Sequence, residues 1–143
     1  MKKFIALALT AIIALSFAAC SDDDDYIPVD PTYESLILSP TQVMAGDTVY
    51  AKVPFKDKGK YWYYYNDNTG YIISGPELYR FTKLVIPGSD EPNFTIVAPE
   101  NPGIYTVKFN AHVSHYAGKG TLYGESNTVE ATFEVIAPEE EEE

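Results

Sequence analysis

The chain is nearly without cysteine: Cys20 is the only one in 143 residues. No disulfide can form within it, so a folded domain must be held by packing alone. Histidine is almost as scarce, at two, which leaves little from which to build a metal centre or a proton shuttle. Lysine and arginine number 10 against 21 acidic residues, a formal net charge of −11. That balance excludes the phosphate-neutralising surface of a nucleic-acid binder and the polybasic patch of a membrane-surface protein. A long apolar run is missing too. Phe4 to Phe17 falls short of the ~20 residues with which a helix crosses a bilayer. The glycines form no phosphate loop, no G-x-S-x-G elbow occurs, and no internal repeat or sustained helical period is evident. The chain is therefore read as non-enzymatic, with no catalytic residues, no metal and no cofactor.

What is present starts at the N-terminus. Lys2 and Lys3, the apolar stretch to Phe17, and the small residues Ala18 and Ala19 have the three-part layout of an export signal. The tetrad F-A-A-C, Phe17 to Cys20, resembles the lipobox of bacterial lipoproteins, in which the cysteine becomes the first residue and carries the lipid. The residues after it, Ser21, Asp22, Asp23, Asp24 and Asp25, resemble the signal that sends Bacteroidota lipoproteins to the outer face of the outer membrane. The resemblance implies acylation of Cys20 and anchoring in outer-membrane lipid, with the protein facing the cell exterior. One acyl chain binds only marginally; the modification resembled here supplies several.

Charge and proline divide the rest. Losing Lys2 and Lys3 with the leader takes the balance to −13, and Asp22 to Asp25 with Glu139 to Glu143 hold nine of the acids, leaving an ordinary −4 for the body. Like charges with nothing apolar to bury stay solvated. Tyr26 to Glu34, Y-I-P-V-D-P-T-Y-E, is aperiodic and holds two prolines, the character of a semi-extended linker. The expected organisation is a leader over 1–19, a lipidated acidic tether over 20–34, a folded domain over 35–137, and an acidic tail over 138–143.

Within the domain, short runs rich in Val, Ile, Tyr, Phe and Thr are broken by Pro, Gly, Asn and Asp, which is all-β punctuation. Strands are expected at Glu34 to Ser39, Thr48 to Phe55, Lys60 to Tyr65, Tyr71 to Ser74, Tyr79 to Ile86, Asn93 to Val97, Ile104 to Val113 and Thr128 to Ile136. Asn66 to Gly70 is read as the turn of a hairpin joining the third and fourth. Val49, Ala51, Val53 and Phe55 share one face by alternation, as do Tyr105, Val107, Phe109 and Ala111, and Val129, Ala131, Phe133 and Val135. Seven to eight half-buried strands in about a hundred residues are the pattern of a β-sandwich, which the count fits better than the alternative of a small barrel.

A second resemblance rests on these runs. A-G-D-T-V-Y-A-K-V, Ala45 to Val53, is similar to the second strand of an immunoglobulin-like domain. Trp62 lies on the next strand, where such domains bury a tryptophan. P-E-N-P-G-I-Y-T-V-K-F, Pro99 to Phe109, is similar to the penultimate strand, with Tyr105 placed as the tyrosine of a tyrosine corner. Val53 and Val107 stand where the inter-sheet cysteines fall in antibodies. The resemblance implies an Ig-like β-sandwich with no internal disulfide.

Candidate functional residues are aromatic. If Trp62 and Tyr64 of Y-W-Y-Y-Y face the core, then Tyr61, Tyr63 and Tyr65 share the outer face, with Tyr71 beside them across the turn. A row of tyrosines offers flat apolar area with hydroxyl handles, suited to stacking on glycan or protein. Tyr116 and Tyr123 lie in a second candidate, the loop from His115 to Ser126. His112 and His115, three apart on a strand, point to opposite faces and are read as polar residues at a strand end. Asp47-Thr48-Val49 is similar to a short O-glycosylation motif of Bacteroidota exported proteins. The expected function is a lipid-anchored surface module that binds extracellular glycan or protein. Alternatives are a structural subunit of a surface assembly pairing through an open sheet edge, and a chagasin-like cysteine proteinase inhibitor. The latter rests on N-T-G-Y, Asn68 to Tyr71, which resembles part of that family's binding loop.

Overall fold

A computed structural model describes residues 28–60, 63–117 and 120–140. All of their regular structure is strand. In chain order these are β1 (Thr32–Tyr33), β2 (Ile37–Ser39), β3 (Gln42–Met44), β4 (Thr48–Lys52), β5 (Phe55–Asp57), β6 (Tyr63–Tyr65) and β7 (Gly70–Gly75). There follow β8 (Leu78–Lys83), β9 (Asn93–Val97), β10 (Gly103–Asn110), β11 (His112–Ala117), β12 (Gly120–Glu125) and β13 (Val129–Ile136). One sheet has the order β3-β13-β10-β7-β8 and a second the order β2-β4-β9. Their eight strands form a β-sandwich. The chain leaves the second sheet after β2 and enters the first at β3, which runs parallel to β13.

Alternation fills the space between the sheets. Val49 and Ala51 of β4, Ile96 of β9, Tyr71 and Ile73 of β7, Val107 and Phe109 of β10, and Phe133 and Val135 of β13 form one buried cluster. Tyr71 stacks on Phe94 across the two sheets at a ring separation of 4.7 Å. The inferred tyrosine corner is present: the Tyr105 hydroxyl donates to the Asn101 carbonyl at 2.6 Å while its ring stacks on Phe133. Val53 and Val107 are both buried. β7 flanks β10 on the side opposite β13 and supplies Tyr71 and Ile73 to the core; Trp62 lies outside the described residues.

Two expectations about connectivity are corrected. β6 and β7 are not hairpin partners. Both run antiparallel to one long strand, β10 continued by β11, with β6 opposite β11 and β7 opposite β10. On the other side of that strand β12 lies opposite β11, and β13 opposite β10. The sheet therefore continues beyond the sandwich as β12-β11-β6. At the joint, Asn66–Thr69 and Ser126–Thr128 are longer than the stretch they face, so each makes a bulge. Two side chains satisfy the backbone there. Buried Thr69 donates through Oγ1 to the His112 carbonyl at 2.7 Å and accepts from the His112 N–H at 2.9 Å. Ser126 receives the Ala111 N–H on its Oγ and donates its own N–H to the Ala111 carbonyl, both at 2.8 Å. The segment from His115 to Ser126, expected as a loop, is thus mainly the β11–β12 hairpin.

Part of the expected tether belongs to the folded domain. Residues 28–34 pack against the domain, with Pro31 and Tyr33 buried. The Asn127 amide grips Tyr33 as a neighbouring strand would, accepting its N–H at 2.8 Å and donating to its carbonyl at 2.9 Å. Val29 bridges to Lys60. Gly59 and Gly124 give this strap room: a Cβ on the first would strike the Val29 carbonyl, and on the second the Asp30 carboxylate.

Candidate recognition face

Alternation in β6 holds, but the faces are exchanged. Tyr63 and Tyr65 turn inward to the strap, and Tyr64 turns outward. Tyr63 is 2 % exposed; its hydroxyl donates to the Lys58 carbonyl at 2.9 Å, and its ring meets His115 edge-on. The Tyr65 hydroxyl donates to the Asp90 carbonyl at 2.7 Å, so at 2.9 Å it accepts from Tyr33. Burial pushes the phenols of Tyr33, Tyr63 and Tyr65 above the ordinary tyrosine range. Tyr71 is 5 % exposed. The expected outer row is therefore not formed: Tyr63 and Tyr71 are buried and Tyr65 half-buried, with Tyr33 set against Tyr65, and Phe94 of the opposite sheet covering Tyr71. Tyr61 lies outside the described residues, as do Cys20, Ser21, Asp22, Asp23, Asp24 and Asp25. Tyr116 is placed by its backbone alone, paired with Thr121.

His115 is corrected likewise. It does face away from His112, but it is buried, with Nε2 2.7 Å from Asp30 Oδ1. The turn Asn68–Tyr71 is no open loop either: Thr69, Gly70 and Tyr71 are all buried, which removes the exposed segment an inhibitor needs.

The solvent side of β12-β11-β6 carries a different arrangement. Ser114 pairs with Tyr64 on one side and with Tyr123 on the other. Directly paired residues share a face, so a small hydroxyl residue sits between two tyrosines. Tyr123 is 78 % exposed, Tyr64 is half-buried, and Ser114 forms the floor. Asn66 donates through Nδ2 to Ser114 Oγ at 3.4 Å and accepts the Asn68 N–H on Oδ1 at 3.1 Å. That turn holds Asp67 and Asn68 at the mouth. Asp67 pairs with Lys83 at 2.8 Å and remains open to water. Together these residues line an open cleft of about 390 Å³. Tyr64 is expected to face the core and is instead found on the outer side, paired with Ser114; Ser114 and Asn66 are not among the expected binding residues. The signal for this sheet in the sequence is the turn-type composition A-G-K-G, Ala117 to Gly120, between the runs of β11 and β12.

Comparison with models of known protein families, with curated proteins and with solved structures gives no match.

The cleft offers two ring faces for stacking, and amide and carboxylate groups for directional hydrogen bonds. Another exposed aromatic, Tyr50, lies on the outer face of β4 in a cleft of about 460 Å³ with Ile37, Ala51, Lys52 and Phe94. That cleft is more apolar and lacks the cluster of amides. Among the described residues no three His, Cys, Asp or Glu side chains come together as a metal-binding group.

Proposed function

We propose that this chain is a lipid-anchored, non-enzymatic recognition module of the outer cell surface that binds glycan on the solvent side of β6, β11 and β12. The row Tyr64–Ser114–Tyr123 carries the reading. Sugar rings present apolar C–H faces edged by hydroxyls, and two tyrosines about a small residue, with Asn66, Asp67 and Asn68 at one end, match both features. Tyrosine supplies such area at low entropic cost. The leader, Cys20 and the run Ser21 to Asp25 support the anchor. The strap supports the orientation, since it meets the sheet on the side away from Ser114, at His115.

The assembly reading is favoured by one feature. β8 is the last strand of its sheet, holds no proline, and exposes Tyr79 and Phe81, so its open edge could accept a further strand. The two readings separate in one experiment. The chain from Ser21 onward, which contains every described residue, is screened on a glycan array beside a size measurement. A monomer retained by glycan supports recognition through the tyrosine cleft. A self-associating or aggregating chain that retains no glycan supports the edge.

A further inference from the structure

We infer that the ligand is an extended, uncharged polysaccharide chain, held along a groove that runs from the tyrosine cleft across the joint of the two sheets to Phe81. This rests on the glycan reading above. A second cleft, of about 410 Å³, shares Asn68 with the first and is walled by Ile72, Phe81, Lys108, Asn110, His112 and Glu125. Register places both on one face. Lys108, Ile72 and Phe81 form one cross-strand row, His112 and Glu125 pair in another, and Ser114 lies two residues beyond His112. From Lys108 to Ser114 is six residues along the strand, roughly 20 Å at about 3.3 Å each. That is room for several linked sugar rings and far more than one.

Both ends are aromatic. Tyr64 and Tyr123 stand at one. At the other, the Phe81 ring lies over Gly70, where a Cβ would strike it, and half of it stays open to solvent. Between them lie side chains that hydrogen-bond hydroxyls: Asn68, Asn110, His112 and Glu125. Charge selects against an anionic chain. Lys108 is the one Lys or Arg lining either cleft, and it faces Glu130 at 3.7 Å. Asp67 and Glu125 add negative charge, on a chain already at −11. Sulfate or uronate groups would meet repulsion, with Lys108 and Lys83 already facing Glu130 and Asp67.

The test uses the soluble chain from Ser21. Retention is measured on immobilised neutral polysaccharides (β-1,4- and β-1,3-glucan, xylan, mannan, starch) and on sulfated and uronate polymers. Titration follows with the hexasaccharide, trisaccharide and monosaccharide of each neutral polymer that retains it. The expected result is neutral retention, with the hexasaccharide about ten-fold tighter than the trisaccharide, the worth of one more aromatic contact. Phe81→Ala should bring the hexasaccharide down to the trisaccharide's level. Thr128→Trp, which fills the far cleft instead of emptying it, should do the same. Equal affinity for both lengths overturns the extended groove and leaves the tyrosine cleft standing. Retention by anionic polymers alone overturns the neutral class. Retention by none of the polymers overturns the glycan reading and this inference together, and capture of a surface protein in place of glycan does the same.

Discussion

Asp30 Oδ1 reaches His115 Nε2 at 2.7 Å over the backbone of residue 124, and it can do so because that residue is glycine. The imidazole is 2 % exposed, and among the described residues its Nδ1 has no partner and the Asp30 contact is its one polar tie. Ser114, the next residue, floors the tyrosine cleft on the opposite side of the same strand. The segment that leads toward Cys20 is thereby fastened to the back of the β12-β11-β6 sheet. Asp30→Ala should cost about 1–3 kcal/mol, the penalty of a buried polar group left unpaired. Gly124→Ala should act in the same direction by displacing the carboxylate. Asp30→Ala combined with His115→Leu should recover part of the loss, since removing both partners is milder than removing one. Thermal unfolding, with hydrogen exchange read separately over β11–β12 and β13, checks this. A double-variant loss equal to the sum of the losses of Asp30→Ala and His115→Leu measured singly would show that the pair is not coupled.

Thr69 bridges the joint between the sandwich and the β12-β11-β6 sheet. Thr69→Val keeps the shape but strands the His112 N–H, so a loss of about 1–3 kcal/mol is expected. Thr69→Ser keeps the hydroxyl and should hold most of the stability. Denaturant unfolding of the two variants, with the exchange rate of the His112 amide, distinguishes them.

Alkaline pH should unfold the domain. The phenols of Tyr33, Tyr63 and Tyr65 titrate above the ordinary tyrosine value because they are buried. The folded state thus keeps protons that the unfolded chain releases above pH ~10. Stability contributed by these groups is complete below that pH and is lost as pH rises through the raised values. The unfolding temperature should be level from neutrality to near pH ~9 and fall beyond pH ~10, less steeply in Tyr33→Phe. A temperature that stays level well into the alkaline range contradicts this.

How far the sequence could be read follows from the range of the contacts involved. Tyr105 was legible because its corner closes within four residues, onto Asn101. The inward faces of β4, β10 and β13 were legible because each alternates long enough to set its own parity. In β6, alternation gave the parity of Tyr63 and Tyr65 but not its sign. The sign depends on Tyr33, 32 residues before Tyr65, in a stretch whose prolines read as linker. His115 looked like a strand-end polar residue because its partner, Asp30, lies 85 residues away. Asn66–Gly70 has hairpin composition, yet a polar turn and a bulge draw on the same residues. Only pairing with β10 and β11 tells them apart. The tyrosine cleft stayed hidden for the same reason, since Tyr64, Ser114 and Tyr123 meet only through long-range register.

The most direct measurement is glycan binding by Tyr123→Ala beside the parent, with thermal unfolding of both. Tyr123 is 78 % exposed, so truncating it should change stability by no more than about 0.5 kcal/mol. The account predicts binding weakened about ten-fold or more at an unchanged unfolding temperature. Tyr63→Ala, by contrast, should melt early because it empties a buried site. Parental binding by Tyr123→Ala would contradict the claim that the outer face of β6, β11 and β12 is the recognition surface.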